Sequence, residues 1–441
     1  MIMQHPLKKI VEQQKKGIPV GIYSVCSAND YVIEAAMERA MQKGTEVLIE
    51  STANQVDQYG GYTGMRPVDF REFVHAIAKK VGFPIENIIL GGDHLGPMTW
   101  KKERTETAME KAEELVRQYV LAGFTKIHID TSMHLGDDNA AEKLDTCVVA
   151  DRGARLAVVA EQAYKELKKV NPEALHPVYV VGSEVPIPGG SQEEDEGLTV
   201  TKADDFEETV KCFKDSFMKY NLKEAWENVV AVVVQPGVEF GDETIHEYNR
   251  EAARELCRAL KKYPNLVFEG HSTDYQTASA MKEMVEDGIA ILKVGPGLTF
   301  ALREALFALN IIENELLKDM SNMEPSRFMD VLEKEMLEHP ENWIKHYHGD
   351  ERKKRLARKY SYSDRIRYYL PQAEVKRSME KMISNLKSVG IPLSMISQYL
   401  PIQYNKIRKG LLANDPESLI KDRIINTIDD YYYAVIPQDK R

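Results

Sequence analysis

Eight short segments rich in Val and Ile recur along the chain, each followed by a stretch of helical periodicity, and this alternation constrains the fold more than any other feature. The segments are Val20–Ser27, Glu46–Thr52, Ile88–His94, Lys126–Ser132, Val178–Val185, Val229–Gln235, Leu266–Ser272 and Ile289–Gly295. Their apolar runs are nearly continuous, as expected of parallel strands covered by helices on one face and by a closed core on the other. Helical patterns follow over Asp30–Lys43, Val68–Val81, Lys102–Ala122, Asp151–Lys169, Lys202–Tyr220, Thr244–Tyr263, Asp274–Asp287 and Thr299–Leu317. Eight such units predict an α/β fold of the (β/α)8 TIM-barrel type over residues 1–318. Turns entering the strands are compact, whereas Ala53–Pro67, Met133–Val149 and Pro186–Thr201 are long and all leave strands. That asymmetry places the elaboration on the C-terminal face of the barrel, where such folds keep their sites. Beyond about Asp319 the alternation stops. Helical patterns at Ser326–Leu337, Glu374–Leu386 and Pro416–Tyr431, with no Gly/Ser or Pro-rich linker before them, predict a helical extension over 319–441 packed on the barrel.

The net charge of −11 argues against a nucleic-acid binder, because phosphate backbones are held by clustered Lys and Arg. An anionic ligand would need a local positive patch. The four cysteines, Cys26, Cys147, Cys212 and Cys257, lie far apart without CxxC spacing, so neither a disulfide framework nor a zinc knuckle is expected. Met1–Gly17 reads as a basic amphipathic helix without a signal-peptide core, and no stretch approaches membrane-spanning length. These features predict a soluble cytoplasmic protein.

Nearly every predicted strand closes on a polar residue: Glu50, Asp93-His94, His128-x-Asp130, Glu184, Gln235, Glu269-x-His271 and Lys293. One such residue alone is most simply a satisfied core group. A whole rim of them is costly to bury without a function. In Gly91-Gly92-Asp93-His94, Asp93 suits proton transfer and His94 suits a divalent metal, against the plainer reading of a structural Asp–His hydrogen bond. His271 is expected to share the ion. Glu184 is the first choice to complete the coordination set and to act as a catalytic carboxylate, with Glu50, Asp130 and Glu269 as alternatives. His128 and Asp130 share one face of a strand, where they bind sugar hydroxyls, shuttle protons or form a buried pair. Lys293 is read as a charge partner for substrate oxygens or for Glu269, with Schiff-base chemistry as the other possibility. Glu50, Asn54, Gln55, His128, Gln235, Glu269 and Lys293 are the predicted substrate contacts.

Gly295-Pro296-Gly297-Leu298-Thr299 leads from the last strand into a helix, the usual barrel phosphate position. Gly295 and Gly297 are expected to offer amides there, with Ser272 and Thr273 adding hydroxyls. Gly60-Gly61-Tyr62-Thr63-Gly64 has the composition of a lid or of a merely irregular loop. Tyr360–Arg367 gathers hydroxyls and guanidiniums that reach a phosphate or cement the extension to the barrel.

Several longer motifs coincide with those of a known family. They include Ser24-Val25-Cys26-Ser27, Asn54-Gln55-Val56-Asp57-Gln58, Gly60-Gly61-Tyr62-Thr63-Gly64-Met65, Gly91-Gly92-Asp93-His94-Leu95-Gly96-Pro97, Val234-Gln235-Pro236-Gly237-Val238-Glu239-Phe240, His271-Ser272-Thr273-Asp274-Tyr275-Gln276 and Ser397-Gln398-Tyr399-Leu400-Pro401. On these the chain resembles the GatZ/KbaZ (AgaZ) family, the so-called non-catalytic subunit of class II D-tagatose-1,6-bisphosphate aldolase. The resemblance runs nearly end to end. It implies an aldolase-type barrel and a role beside a catalytic Y subunit in tagatose, galactitol or amino-galactose breakdown. Some relatives resemble tagatose/fructose 4-epimerases. The Asp93-His94 pair resembles the Asp-His of true class II aldolases, but the sixth predicted strand ends in Gln235 where a metal-binding histidine would be expected.

Two functions are expected from these readings. The first is a metal-dependent 4-epimerase interconverting tagatose and fructose forms, free or as 6-phosphates, by retro-aldol cleavage and recombination. A divalent ion, zinc or else Mn, Co or Ni, would polarise the C2 carbonyl while a carboxylate takes the C4 hydroxyl proton. The alternative is an accessory subunit that stabilises a separate class II aldolase. A homo-oligomer is expected in either case.

Overall fold

The structure is a computed structural model that describes residues 4–182 and 198–437. Eight parallel strands close into a barrel: β1 (Ile22–Cys26), β2 (Val47–Thr52), β3 (Ile88–Leu95), β4 (Lys126–Ile129), β5 (Val178–Val181), β6 (Val229–Val234), β9 (Val267–Gly270) and β10 (Ile289–Val294), in the spatial order β1-β10-β9-β6-β5-β4-β3-β2. The two remaining strands, β7 (Glu239–Phe240) and β8 (Ile245–His246), form a small antiparallel hairpin after β6. The second strand of this hairpin occupies the start of the span Thr244–Tyr263 that periodicity assigns to helix, and the helix itself starts at Arg250.

The outer layer is formed by α2 (Asp30–Lys43), α3 (Pro67–Val81), α4 (Thr105–Leu121), α5 (Thr146–Val170), α6 (Ala203–Lys219) with the single turn α7 (Lys223–Trp226), α8 (Arg250–Leu260), α9 (Ala278–Glu286) and α10 (Pro296–Leu317). Ahead of them α1 (Pro6–Lys15) reaches the bottom of the barrel, where Leu7 and Val11 join a cluster with Ile22, Leu48, Ile89, Val230, Val267 and Ile291. The lower interior is therefore apolar and closed. The upper interior is charged: register sets Ser24 beside Lys293, Cys26 beside Glu50 and Val233 beside Glu269, so the polar strand ends share one level.

The C-terminal part is helical: α11 (Phe328–Glu338), α12 (Glu351–Tyr360), α13 (Ala373–Val389), α14 (Leu393–Tyr399), α15 (Pro401–Arg408) and α16 (Pro416–Val435). Its apolar residues continue the same cluster that fills the space between barrel and helices, and α16 packs against α2, α9, α10 and β1. Tyr431 of α16 donates to the carbonyl of Thr273 at 3.0 Å, so this last helix supports the loop that follows β9. A short 3-10 turn, Arg365–Tyr368, comes to the barrel mouth.

Two expectations need correction. Cys147 at the start of α5 and Cys212 on α6 form a disulfide, with Cα atoms 4.9 Å apart. Their spacing hides the contact because it depends on the packing of α5 against α6. The helix expected from Asp274 starts at Ala278, since Asp274 is drawn into the mouth instead. No helix of the described residues is long and apolar enough to cross a membrane.

Candidate functional site

The charged layer starts from Glu50, which is fully buried. Lys126 Nζ lies 2.6 Å from Glu50 Oε1 and 2.8 Å from Glu269 Oε2, contacts whose approach angles miss hydrogen-bond geometry and which act through charge. Lys293 pairs with Glu50 and lies 2.9 Å from Asp93 Oδ1. Burial works against the charge on both lysines, yet the carboxylates hold Lys126 above the ordinary lysine value and Lys293 well above it. A Schiff-base lysine must lose its proton to attack, so the Schiff-base alternative for Lys293 is disfavoured by its own neighbours. Gly91 is required here: a Cβ on it would stand 2.6 Å from Glu50 Cγ. Lys126 escaped the sequence reading because a lysine opening a strand resembles a solvated end, although it precedes a run that is otherwise buried.

Above this layer stand three histidines, with ring centroids 5.0 to 5.4 Å apart. The β3–β4 register slips between Gly92 and Leu95, and His94 takes a left-handed φ of 50°. This irregularity is what lets both Asp93 and His94 turn into the mouth, since consecutive residues of a regular strand point to opposite sides. His94 Nδ1 is 3.0 Å from Asp130 Oδ2, and His271 Nε2 is 3.0 Å from Glu269 Oε1. Each imidazole thus has one nitrogen oriented by a carboxylate and the other available, the usual arrangement around metal-ligating histidines. His128 Nε2 lies 3.3 Å from the carbonyl of Gly182, while its Nδ1 lies 3.1 Å from the amide of His94 and 3.0 Å from Asp93 Oδ1.

Electrostatics separates the groups. Burial pushes His271 down to about 3, so it stays a neutral donor. Burial also opposes charge on His94, but Asp93 and Asp130 carry it above its ordinary value. Burial raises the cost of ionising Asp93 and Asp130, yet His94, Lys293 and His128 hold Asp93 well below the carboxylate range, and His94 draws Asp130 down to about 2.

The residues fit a divalent cation. Donor atoms of Asp93, His94, His128 and His271 all lie within 4.8 Å of one another. When His128 donates Nε2–H to Gly182, its Nδ1 accepts the amide of His94 and lies beside Asp93 Oδ1. In this layer the four carboxylates of Glu50, Asp93, Asp130 and Glu269 outnumber the two lysines, Lys126 and Lys293.

The other expected residues divide by position. Asn54, Gln55, Asp93, His94, His271, Ser272 and Lys293 line the mouth cavity, with a volume of about 110 Å³. Glu50, His128 and Glu269 are fully buried beneath it. Asp130, expected to be catalytic, is engaged on both oxygens, Oδ2 by His94 and Oδ1 by Ser132 (2.7 Å to the hydroxyl). Gln235 turns its Oε1 back to the amides of Gly237 and Val238 at 2.8 and 3.0 Å, capping the turn after β6. Of the expected phosphate donors, Ser272 and Gly295 line the cavity. Thr273 is buried, its hydroxyl donating to Lys293 O at 2.6 Å, and the amides of Gly295 and Gly297 both donate to Asp274 Oδ1 at 3.0 and 2.7 Å. A side chain of the chain itself has taken the place expected for an anion. Glu184 lies outside the described residues. Arg367 and Tyr368, which line the same cavity from the extension, had only the clustering of Arg and Tyr around them as a sequence signal.

The D-tagatose-1,6-bisphosphate aldolase subunit GatZ/KbaZ-like family matches residues 7–436. The chain belongs to the GatZ/KbaZ-like family. A "D-tagatose-1,6-bisphosphate aldolase subunit GatZ" of Salmonella dublin is 46% identical over 431 residues, covering 98% of this chain and 99% of that protein. The GatZ subunit of Escherichia coli O1:K1 / APEC is 47% identical over 428 residues, 97% and 99% of the two chains. A crystal structure from Sinorhizobium meliloti 1021, described as a probable tagatose 6 phosphate kinase, superposes with a TM-score of 0.85 at 44% identity, covering 94% of this chain and 100% of the other. These GatZ/KbaZ-like relatives correct the functional expectation: they are named as subunits of an aldolase, which overturns the 4-epimerase reading in favour of its alternative.

Proposed function

We propose that this chain is the GatZ-type subunit of a class II D-tagatose-1,6-bisphosphate aldolase, which associates with and stabilises a separate catalytic subunit, and that its barrel mouth binds a divalent metal and a ketose phosphate. The observation that carries the reading is end-to-end similarity to GatZ subunits, with 98% of this chain and 99% of the relative aligned and the helical extension included. Gln235 supports a role beside a catalytic partner rather than alone. At the strand end where the resemblance leads to a metal-binding histidine, Gln235 instead turns its Oε1 to the amides of Gly237 and Val238.

In this reading His94 and His271, oriented by Asp130 and Glu269, would hold the ion, with Asp93 and His128 beside them. A bound ion would supply polarisation of a ketose carbonyl. Lys293, kept protonated by Glu50 and Asp93, offers a fixed positive charge to a ligand oxygen. Asp93, ionised and at the cavity wall, is placed to accept a hydroxyl hydrogen bond. Asn54 and Gln55 supply further polar contacts at the rim.

The test is co-expression with a class II tagatose-bisphosphate aldolase catalytic subunit. The two chains are expected to co-purify, and the thermal midpoint and lifetime of D-tagatose 1,6-bisphosphate cleavage are expected to rise with this chain present. Size-exclusion with light scattering separates a self-associated chain from the mixed assembly. Absence of a mixed complex, together with unchanged stability of the catalytic subunit, would overturn the reading.

A further inference from the structure

The helix amides that usually receive an anion in this architecture are covered. Asp274 Oδ1 accepts from Gly295 and Gly297 at the N-terminus of α10, and Asp274 is almost wholly buried. A phosphate entering there would have to displace a buried carboxylate that already satisfies both donors.

The same cavity carries a different cation. Arg367 stands on the 3-10 turn of the extension, and its guanidinium is fixed by donating Nη1 to the carbonyls of Ser363 and Asp364 (2.9 Å to the latter) and Nη2 to Tyr368 Oη at 3.0 Å. Its Cζ sits 4.5 Å from the centroid of the Tyr368 ring. Two other guanidiniums of this region are paired, Arg303 at 3.4 Å from Asp364 and Arg358 at 2.6 Å from Glu333, while Arg365 donates to the carbonyl of Asn342 at 2.8 Å. Among the described residues Arg367 makes no ion pair within 4.0 Å. Three of its five N–H donors are engaged, and all three acceptors are uncharged. Asp364 and Asp274 act on this cation only from beyond ion-pair distance, which leaves two of its N–H donors for a ligand. Ser272, with a left-handed φ of 53°, brings its residue to the wall of the same cavity, as does Tyr62, whose ring meets Tyr368 edge-on at 5.0 Å.

We infer that Arg367, delivered by the C-terminal extension, is the anion-recognising side chain of the barrel mouth and takes a phosphate ester of a ketose, with Ser272 as a hydroxyl partner. The planar guanidinium fork suits bidentate contact with phosphate oxygens. The inference rests on the ketose-phosphate reading of the site. It gives the extension a part in ligand recognition as well as in packing.

Titration calorimetry of the full zinc-loaded chain with D-tagatose 1,6-bisphosphate, D-tagatose and inorganic phosphate tests it. In wild type the bisphosphate binds more tightly than D-tagatose, and Arg367→Gln is expected to reduce that ratio of affinities at least tenfold, with Arg367→Lys recovering part of it. A ratio within twofold of wild type in Arg367→Gln overturns the inference, as does a wild-type chain that does not prefer the phosphorylated ligand. Should Arg367→Gln fail to fold, wild type is treated with phenylglyoxal and mapped by peptide mass spectrometry. Protection of Arg367 by the bisphosphate and not by D-tagatose supports the assignment; equal labelling in both overturns it. Co-purification with the catalytic subunit is scored separately, so loss of the subunit reading and loss of the Arg367 assignment give different results.

Discussion

Asp130 Oδ2 lies 3.0 Å from His94 Nδ1, and this contact turns the other ring nitrogen of His94 toward the mouth. An orienting carboxylate behind a ligand histidine typically accounts for about 10–100-fold in metal affinity. Asp130→Asn is therefore expected to weaken zinc binding by roughly that factor, and His94→Ala to remove stoichiometric zinc. Competition with a fluorescent chelator measures both. Equal affinity in Asp130→Asn and wild type would separate the two residues functionally.

Lys126 neutralises Glu50 and Glu269 where no water reaches. Removing one member of a buried ion group leaves the others uncompensated, at a cost of about 3–5 kcal/mol. Lys126→Met should lose that much unfolding free energy in urea. Lys126→Met with Glu269→Gln should recover a large part, because the remaining carboxylate keeps Lys293.

Burial pushes the Asp274 carboxyl up to about 6, against the pull of the Gly297 and Gly295 amides and of Arg367. The folded chain then holds this proton more firmly than the unfolded chain does. Its contribution is favourable below the unfolded value near 4 and is lost as pH rises through about 6. Asp274→Asn retains an acceptor for both amides and carries no charge. Its stability should match wild type near pH 4 and exceed it by on the order of 2 kcal/mol at pH 7.5. Urea unfolding at the two pH values checks the sign; a gap that widens toward acid would contradict it.

The Cys147–Cys212 bridge closes a loop with a sequence separation of 65 residues. Cross-linking a loop of that length constrains the unfolded chain by up to about 4 kcal/mol. Thiol titration of the oxidised, denatured chain should find only Cys26 and Cys257, and reduction or Cys147→Ser should lower the thermal midpoint. Four reactive thiols in the unreduced denatured chain would show that the bridge does not form.

Periodicity alone determined the barrel, because a strand buried on both faces and a helix with one apolar stripe leave different repeats in the chain. It also located the polar strand ends, since Glu50, Asp93, His94, Glu269, His271 and Lys293 interrupt apolar runs where a barrel opens. What each of them touches was decided only by tertiary packing. Whether a carboxylate faces ligand or histidine depends on the shear of the strands and on one register slip beside His94, which no local pattern encodes. Asp274 was invisible as the group that fills the α10 amides, because its partners lie 21 and 23 residues away and meet it only when β9 and β10 lie side by side. Arg367 comes from beyond the barrel altogether, and its place at the mouth follows from helices folding back along the outer wall, a choice made by the summed burial of many apolar side chains and written in no single motif.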